Sequence, residues 1–207
     1  MSILESLKKD GYRMGNLQAI PYSRHDHTIF KPGFLGELYW MMRASGKYSK
    51  NANGMGILVD LFCGMQDLSF PAIVAYLSTV QLIVLGVWEG EVFNVAGVCF
   101  PTTRIGSGDQ KAMIAGYGFL SPYWGSDEQE LLAVLGIAML FVEGDVLAIH
   151  GVRYQSNVLT AKFMSKFGFK DYGVIPRFLM RRGKLVDAVV SSLSREDFED
   201  NLRLRAE

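Results

Sequence analysis

Residues 157–169, NVLTAKFMSKFGF, are the most informative stretch of this 207-residue chain. The apolar side chains in it recur every four residues, which predicts a helix with one buried face. The repeating positions are Leu159, Phe163 and Phe167. Asn157 occupies a typical N-cap position, and Gly168 occupies the position at which many helices end in a left-handed residue. Phe169 provides the hydrophobic contact that often accompanies such an ending, so we expect a short helix packed on a core.

Strands are predicted on both sides of this helix. Residues 145–152 precede it as one strand, and residues 170–174 and 178–190 follow it as two more, with a turn at 182–184. A last short helix is predicted from Ser194, because an acidic residue stands three positions later at Asp197.

Further upstream, the sequence predicts an antiparallel meander. Residues 79–88 and 92–100 are dominated by β-branched and aromatic side chains, and Glu89-Gly90-Glu91 between them indicates a hairpin turn. A third strand is expected at about residues 111–120, after a loop rich in glycine, serine and aspartate.

A strongly apolar helix is predicted over about residues 125–142. Ser126 is its expected N-cap, and Gln129 stands three positions later, at capping-box spacing. The strand–helix–strand crossover over residues 111–152 should pair its two strands in parallel through a right-handed connection. The expected fold class is therefore α/β, with a mixed, mostly antiparallel central sheet and flanking helices.

The N-terminal third is less informative. Within residues 1–54, only residues 34–45 have apolar positions at helical spacing. Short helices are expected at about residues 57–65 and 71–77, the second with a proline in its first turn. The length is sufficient for one core, and we expect a single domain over residues 1–207.

The charge composition limits the classes of partner. The chain has 21 Lys and Arg residues against 21 Asp and Glu residues, so its formal net charge is zero. A protein that binds nucleic acid through its phosphates needs a net or clustered basic surface, so we expect no nucleic-acid partner. The longest apolar runs are shorter than the roughly 20 residues that cross a bilayer, and the first ten residues lack the apolar core of a signal peptide. Cys63 and Cys99 show no disulfide or zinc spacing, and we expect a cytoplasmic protein without a membrane partner.

The motif in residues 157–169 resembles the C-terminal signature of the GNAT acyltransferase superfamily, in which an asparagine, a helix and Lys-x-Gly-Phe follow at this spacing. Several downstream positions are similar to the branch that acetylates ribosomal-protein N-termini. These positions are Gly173, Gly183, Asp187 and residues 193–198. Upstream, residues 116–125 (GYGFLSPYWG) are similar to the strand and loop that lead to the acetyl-CoA pyrophosphate site. The resemblance covers about residues 79–201 and leaves residues 1–54 largely unexplained.

This resemblance implies an acyltransferase that uses acetyl-CoA. The strands that end near Leu120 and His150 would splay apart and leave a slot for the pantetheine arm. The pyrophosphate would lie on backbone N–H groups at the start of the helix near Asp127. The implied cofactor-binding residues are Leu120, Ser121, Trp124, Gly125, Ser126, Asp127, Asn157 and Lys162. No metal is implied.

The chain also departs from the family pattern. The corresponding family loop has more than one glycine, whereas residues 124–129 contain a single glycine, Gly125. Three carboxylates stand at the helix start, on Asp127, Glu128 and Glu130. Many family members have a proton-donating tyrosine seven residues after the asparagine, where this chain has Met164, and residues 115–119 contain no acid that could serve as a base.

His150 is the candidate general base, at the expected C-terminal end of the strand that flanks the slot. An imidazole with an ordinary pKa of about 6.5 is suited to taking a proton from an ammonium group. Tyr154 and Tyr117 are the candidate acids. His150 is also explained as a hydrogen-bonded histidine at a strand end, and both interpretations stay open.

Two functions stay open for the whole chain. In the first, it transfers an acetyl group from acetyl-CoA to an amine of a small molecule or a protein. In the second, it is a catalytically inactive GNAT-fold protein with a structural or assembly role and protein partners. Eroded GNAT-like proteins of this kind occur among phage head and internal virion proteins, which would place the chain within a virion. The absence of the family tyrosine and the acidic helix start favour the second function.

Two other groups of side chains have simpler explanations. His25-Asp26-His27 contains metal-ligand side chains, but no further ligand has matching spacing, so a solvated loop is expected. A basic group in the predicted C-terminal hairpin is interpreted as a solvent-facing surface. It consists of Arg177, Arg181, Arg182 and Lys184.

Overall fold

The computed structural model describes residues 2–22, 29–44, 58, 61–62, 65, 67–107, 111–181 and 183–206. The helices in this part of the chain are α1 (Ile3–Lys9), α2 (Phe34–Ala44), α3 (Phe70–Leu77), α4 (Asp127–Gly144), α5 (Val158–Ser165) and α6 (Arg195–Ala206). The strands are β1 (Arg13–Met14), β2 (Leu17–Pro21), β3 (Ile83–Glu89), β4 (Val92–Ile105), β5 (Ala112–Phe119), β6 (Ala148–Tyr154), β7 (Lys170–Arg181) and β8 (Lys184–Ser194). A short 3₁₀ turn, Ser121–Tyr123, connects β5 to the loop before α4.

The strands form one eight-stranded sheet in the order β1-β2-β3-β4-β5-β6-β8-β7. Strands β5 and β6 are parallel, and the other neighbouring pairs are antiparallel. The predicted α/β fold with a mixed, mostly antiparallel sheet is therefore confirmed. The parallel pair is joined through α4, as the crossover over residues 111–152 predicted.

Helices cover both faces of the sheet, because successive strand residues point to opposite faces. On one face, side chains of α1, α4, α5 and α6 form a core with Leu85 and Phe119. On the other face, α2 and α3 pack against Val84 and Phe100. Helix α4 is buried along most of its length between the sheet and the terminal helices, which explains its almost continuous apolar sequence. Among the described helices, none is long and apolar enough to cross a membrane.

The expected helix caps are confirmed. Backbone N–H groups donate to the side chains of Ser126 (from Gln129, 3.2 Å), Asn157 (from Thr160, 3.2 Å) and Ser194 (from Asp197, 3.0 Å). Gly168 has a φ of +92°, and the Phe169 N–H donates to the Met164 carbonyl at 3.3 Å. The short helix of the opening motif therefore begins and ends as its sequence predicts. The expected buried face is incomplete, because Phe163 and Phe167 pack on the core but Leu159 is 70% exposed.

The first third of the chain contains two strands that the sequence analysis did not predict. Residues 13–21 form the hairpin β1–β2, which extends the sheet because Leu17 pairs with Val87 of β3. The turn is Gly15-Asn16, and Gly15 has a φ of +60°. Gly-Asn between two short apolar runs is a hairpin signal that was present in the sequence.

The C-terminal hairpin differs from its prediction in one respect. The sequence predicts separate strands before and after residues 175–177. In the structure, β7 continues through these residues, and its register against β8 is irregular between Ile175 and Leu179. Arg177 has a φ of +51° at this point, and its N–H donates to an Asp187 carboxylate oxygen at 2.9 Å. This hydrogen bond to β8 holds the irregular segment against its partner strand.

Candidate functional site

The two parallel strands part soon after they meet. Strands β5 and β6 pair through Ala112↔Ala148, Met113↔Ile149 and Ile114↔His150. Beyond these pairs, β5 stays with β4 as far as Phe119, whereas β6 stays with β8 as far as Tyr154. We call the space between residues 115–119 and residues 151–154 the strand gap. Its apex is the pair formed by Ile114 and His150.

The β5 side of the strand gap offers backbone to a ligand. Residues 114–118 are all partly exposed, although the flanking Met113 and Phe119 are buried. Gly116 and Gly118 present no side chain on the face opposite α4. A strand edge of this kind can pair with an extended chain that carries amide groups.

Leu120 and Ser121 lie at the mouth of the strand gap, where the resemblance predicted backbone contacts to a pantetheine arm. The Leu120 N–H already donates to the Ala96 carbonyl at 2.8 Å, and its carbonyl accepts from Tyr123 at 3.0 Å. The Ser121 carbonyl accepts from Trp124 at 3.3 Å. These hydrogen bonds close the 3₁₀ turn, so the exposed backbone lies earlier in β5.

Trp124 fixes the loop after this turn. Its indole N–H donates to the Phe119 carbonyl at 2.6 Å, which ties the loop to the end of β5. Gly125 follows with a φ of +79°, a left-handed conformation that favours glycine. Together they direct the start of α4 toward the mouth of the strand gap.

Several backbone donors at the start of α4 already have acceptors. The Gly125 N–H donates to the Gln129 side-chain oxygen at 2.7 Å, and the Gln129 N–H donates to Ser126. The Glu128 carboxylate interacts with its own backbone N–H and with Ser126, and these contacts lower its pKa. An anion that binds here must displace the Glu128 carboxylate.

The other two carboxylates of this helix start differ from each other. Glu130 contacts the Lys166 ammonium and lies 3.8 Å from the Arg205 guanidinium, so its charge is balanced within the fold. Asp127 is exposed. Lys162, the cation expected near a phosphate, is exposed in the last turn of α5. Lys166 instead pairs with Glu130 of α4. The electrostatic conflict predicted for three carboxylates is thus confined to Asp127 and Glu128.

His150 occupies the apex of the strand gap. The expectation that it ends its strand is wrong, because pairing with β8 carries β6 on to Tyr154. His150 is partly exposed, and it lies on the face opposite Ile149 and Gly151, which line the apolar space under α4 and α5.

Tyr154 lies in a separate small core with Leu179 and Ala188. Its hydroxyl donates to the Met180 carbonyl at 3.0 Å, and the Arg181 guanidinium lies 4.9 Å from its ring centre. This arrangement ties the tyrosine to the β7–β8 hairpin rather than to the apex of the strand gap.

Tyr117 on β5 and Arg153 on β6 lie on the two sides of the strand gap. The Tyr117 ring lies 5.7 Å from the Phe163 ring of α5, and its hydroxyl is buried without a hydrogen-bond partner in the described part of the chain. Burial raises the pKa of this hydroxyl, and the nearby Arg153 guanidinium partly offsets the effect. Arg153 was missed at the sequence level, although an arginine inside an otherwise apolar strand is a signal for a partnered or functional charge.

Below the strand gap lies a small apolar cavity between the sheet and helices α4 and α5. Its lining includes Ala115, Phe119, Gly136, Gly151 and Phe163. Met164, in place of the family tyrosine, is buried, and a Cβ added to Gly151 would lie 2.5 Å from its terminal methyl group. The position at which the resemblance led us to expect a proton-donating tyrosine is therefore filled by a packed methionine.

Metal ligands do not form a cluster in the described ranges, where no group of three His, Cys, Asp or Glu side chains could hold an ion. His25, Asp26 and His27 lie outside the described residues.

Solved structures share this architecture. RimJ of Mycobacterium smegmatis, in complex with CoA-disulfide, has a TM-score of 0.64 and 13% identity, over 92% of this chain and 89% of that chain. The spermidine N-acetyltransferase of Vibrio cholerae, in complex with CoA and spermine, has a TM-score of 0.64 and 11% identity, over 89% of this chain and 99% of that chain. The ribosomal-protein-S5-alanine acetyltransferase of Vibrio fischeri has a TM-score of 0.59 and 12% identity, over 90% of this chain and 97% of that chain.

The chain has the GNAT acetyltransferase fold. No protein-family model and no curated protein sequence matches it. The likeness is therefore one of fold.

Proposed function

We propose that this protein is an N-acyltransferase that transfers an acetyl group from acetyl-CoA to an amine. The strand gap carries the proposal, because it pairs an exposed strand edge with a helix start at its mouth. Structures of the same fold contain CoA in the RimJ and spermidine acetyltransferase complexes, which supports the choice of ligand.

In this proposal the pantetheine arm extends along β5, where its amides pair with backbone of residues 115–118. The pyrophosphate lies against Gly125, Ser126 and Asp127 after the Glu128 carboxylate swings away. Leu120, Ser121 and Trp124 shape the mouth, and Asn157 and Lys162 flank it from α5.

The proposed chemistry is direct attack of a neutral amine on the thioester carbonyl. His150 takes the proton of the attacking amine, since it lies at the apex of the strand gap. Collapse of the tetrahedral intermediate breaks the carbon–sulfur bond, and the departing thiolate then takes a proton. Tyr117 is better placed than Tyr154 to supply it, because the Tyr154 hydroxyl donates to Met180.

The acceptor class is an amine of a protein or of a small molecule. Both kinds appear among proteins of the same fold, one named as acting on ribosomal protein S5 alanine and one on spermidine. A peptide N-terminus and a polyamine are therefore the first acceptors to assay.

Calorimetric titration with acetyl-CoA, followed by thiol release in the presence of each acceptor, tests the proposal. Saturable binding and acceptor-dependent release of CoA are expected. Absence of heat at millimolar acetyl-CoA would contradict the proposal.

A second candidate function is a non-catalytic structural or assembly role with protein partners. The self-capped start of α4 favours it, because side chains of this helix start already accept from the backbone N–H groups of Gly125, Glu128 and Gln129. Neither the described fold nor its likeness to solved enzymes points to a phage particle in particular. Stoichiometric recovery in a native complex, together with no affinity for acetyl-CoA, would support this function over the first.

A further inference from the structure

Tyr117 and Arg153 are equivalent positions on the two sides of the strand gap. Each lies three residues beyond the last parallel pair, Ile114↔His150. Both side chains lie on the α4 and α5 face of the sheet, since side chains alternate along each strand. A tyrosine and an arginine therefore stand on the two sides of the strand gap, where backbone pairing between β5 and β6 has ended, and the guanidinium is near enough to act on the pKa of the tyrosine hydroxyl.

Both residues have buried polar atoms without a partner. Arg153 is 7% exposed, and its Nε has no hydrogen-bond partner among the described residues. The Tyr117 hydroxyl is also buried and has no hydrogen-bond partner among these residues. Buried donors without partners destabilise a fold, and their persistence in a native structure commonly marks a bound water or a ligand.

The charge of the Arg153 guanidinium has a partner on β7. Its Nη2 donates to Asp171 at 2.6 Å, and the second carboxylate oxygen of Asp171 accepts from the Ser191 hydroxyl at 2.5 Å. The charge of Arg153 is therefore balanced, and its side chain is held in place by β7 and β8. The Nε–H is the donor of this guanidinium that is buried without a partner in the described part of the chain.

We propose that Tyr117 and Arg153 form a subsite that binds an uncharged carbonyl oxygen of an acyl-CoA inserted in the strand gap. Arginine Nε–H can only donate, and a tyrosine hydroxyl can donate as well, so the shared ligand atom is an acceptor. A carbonyl is favoured over a carboxylate, because Asp171 already supplies the negative charge that Arg153 needs. The inference rests on the proposed function, and the oxygen belongs either to the thioester or to a pantetheine amide.

The test is Tyr117→Phe, which removes the hydroxyl and keeps the ring that packs on Phe163. The variant should unfold at a temperature equal to or above that of the wild type, because it loses a buried donor that has no partner. It should bind acetyl-CoA about fivefold more weakly, the loss expected for one hydrogen bond. Adenosine 3′,5′-diphosphate, which lacks the pantetheine arm, should bind both proteins equally.

Comparison of ligands identifies the oxygen. A loss for acetyl-CoA alone assigns the thioester carbonyl, and an equal loss for CoA assigns an amide. Arg153→Lys should weaken the same ligands, because it keeps a charge for Asp171 but has no Nε donor. Tyr172→Phe is the matched control, since Tyr172 is 74% exposed on β7 and should change neither property.

Wild-type affinity of Tyr117→Phe for acetyl-CoA and CoA would overturn the subsite while leaving the proposed function intact. If the unfolding temperature of that variant is also lower, the hydroxyl is assigned to a structural water. A wild-type protein that binds no CoA compound would overturn the proposed function and the subsite together.

Discussion

Replacing Asp171 by asparagine tests how strongly the fold depends on the ion pair behind the strand gap. Arg153 is 7% exposed and Asp171 is 55% exposed, with 2.6 Å between Nη2 and Oδ2. Removing one partner of a fully buried pair costs about 3–5 kcal/mol, and an exposed pair contributes about 0–1 kcal/mol. With one partner buried and one half-exposed, we expect a loss of about 2 kcal/mol in the free energy of unfolding.

Thermal unfolding followed by circular dichroism measures this loss. For a chain of this size, a loss of about 2 kcal/mol corresponds to a lower midpoint by about 4–8 °C. Asp200→Asn is the matched control, because Asp200 and Arg203 are also 2.6 Å apart but both are 58% exposed. The control should change the free energy of unfolding by less than about 0.5 kcal/mol.

The physical cause can be separated with a second variant. If the penalty arises from an unpaired buried cation, Arg153→Met in the Asp171→Asn background should restore part of the lost stability. An Asp171→Asn variant no less stable than Asp200→Asn would refute the reasoning. So would a double variant in which the two losses simply add.

Glu128→Gln should tighten acetyl-CoA binding severalfold in calorimetry, because it removes the carboxylate that occupies the start of α4; unchanged or weaker binding would count against the self-capping argument. Gly97→Ala should strongly destabilise the sheet, since the new Cβ would lie 2.6 Å from the Gly118 carbonyl oxygen; a wild-type midpoint in denaturant titration would contradict it. The Lys170 ammonium lowers the pKa of the Asp197 carboxyl group. The Asp197 carboxylate therefore stabilises the fold at pH values above the unfolded pKa of about 3.9. This contribution is lost as the pH falls through the lowered pKa of the folded state. Unfolding temperatures measured from pH 6 to pH 2 should therefore fall less steeply for Asp197→Asn than for the wild type, and parallel curves would exclude the effect.

Local signals in the sequence predicted the elements around the strand gap. Ser126, Asn157 and Ser194 act as caps within their own first turns, and Gly168 ends a helix through its own backbone conformation. Such features depend on a few consecutive residues, which is why one sequence is sufficient to locate them.

Features that depend on distant residues were not predicted. Glu130 is neutralised by Lys166 and Arg205, which come from α5 and α6, and no pattern near Glu130 indicates them. Arg153 gains its role from Asp171 on β7 and from the divergence of β5. The short hairpin β1–β2 is stable only because β3 accepts it as a sheet neighbour.

The three-residue parallel ladder at the apex has a consequence for how the sheet responds to an inserted ligand. Strands β1–β5 and strands β6–β8 are each complete antiparallel units that satisfy their own interior hydrogen bonds. The ladder and α4 are the seam between these units. A ligand that enters the strand gap beyond the three paired residues breaks no strand pairing. The width of the strand gap can therefore vary while the strands of each unit keep their register.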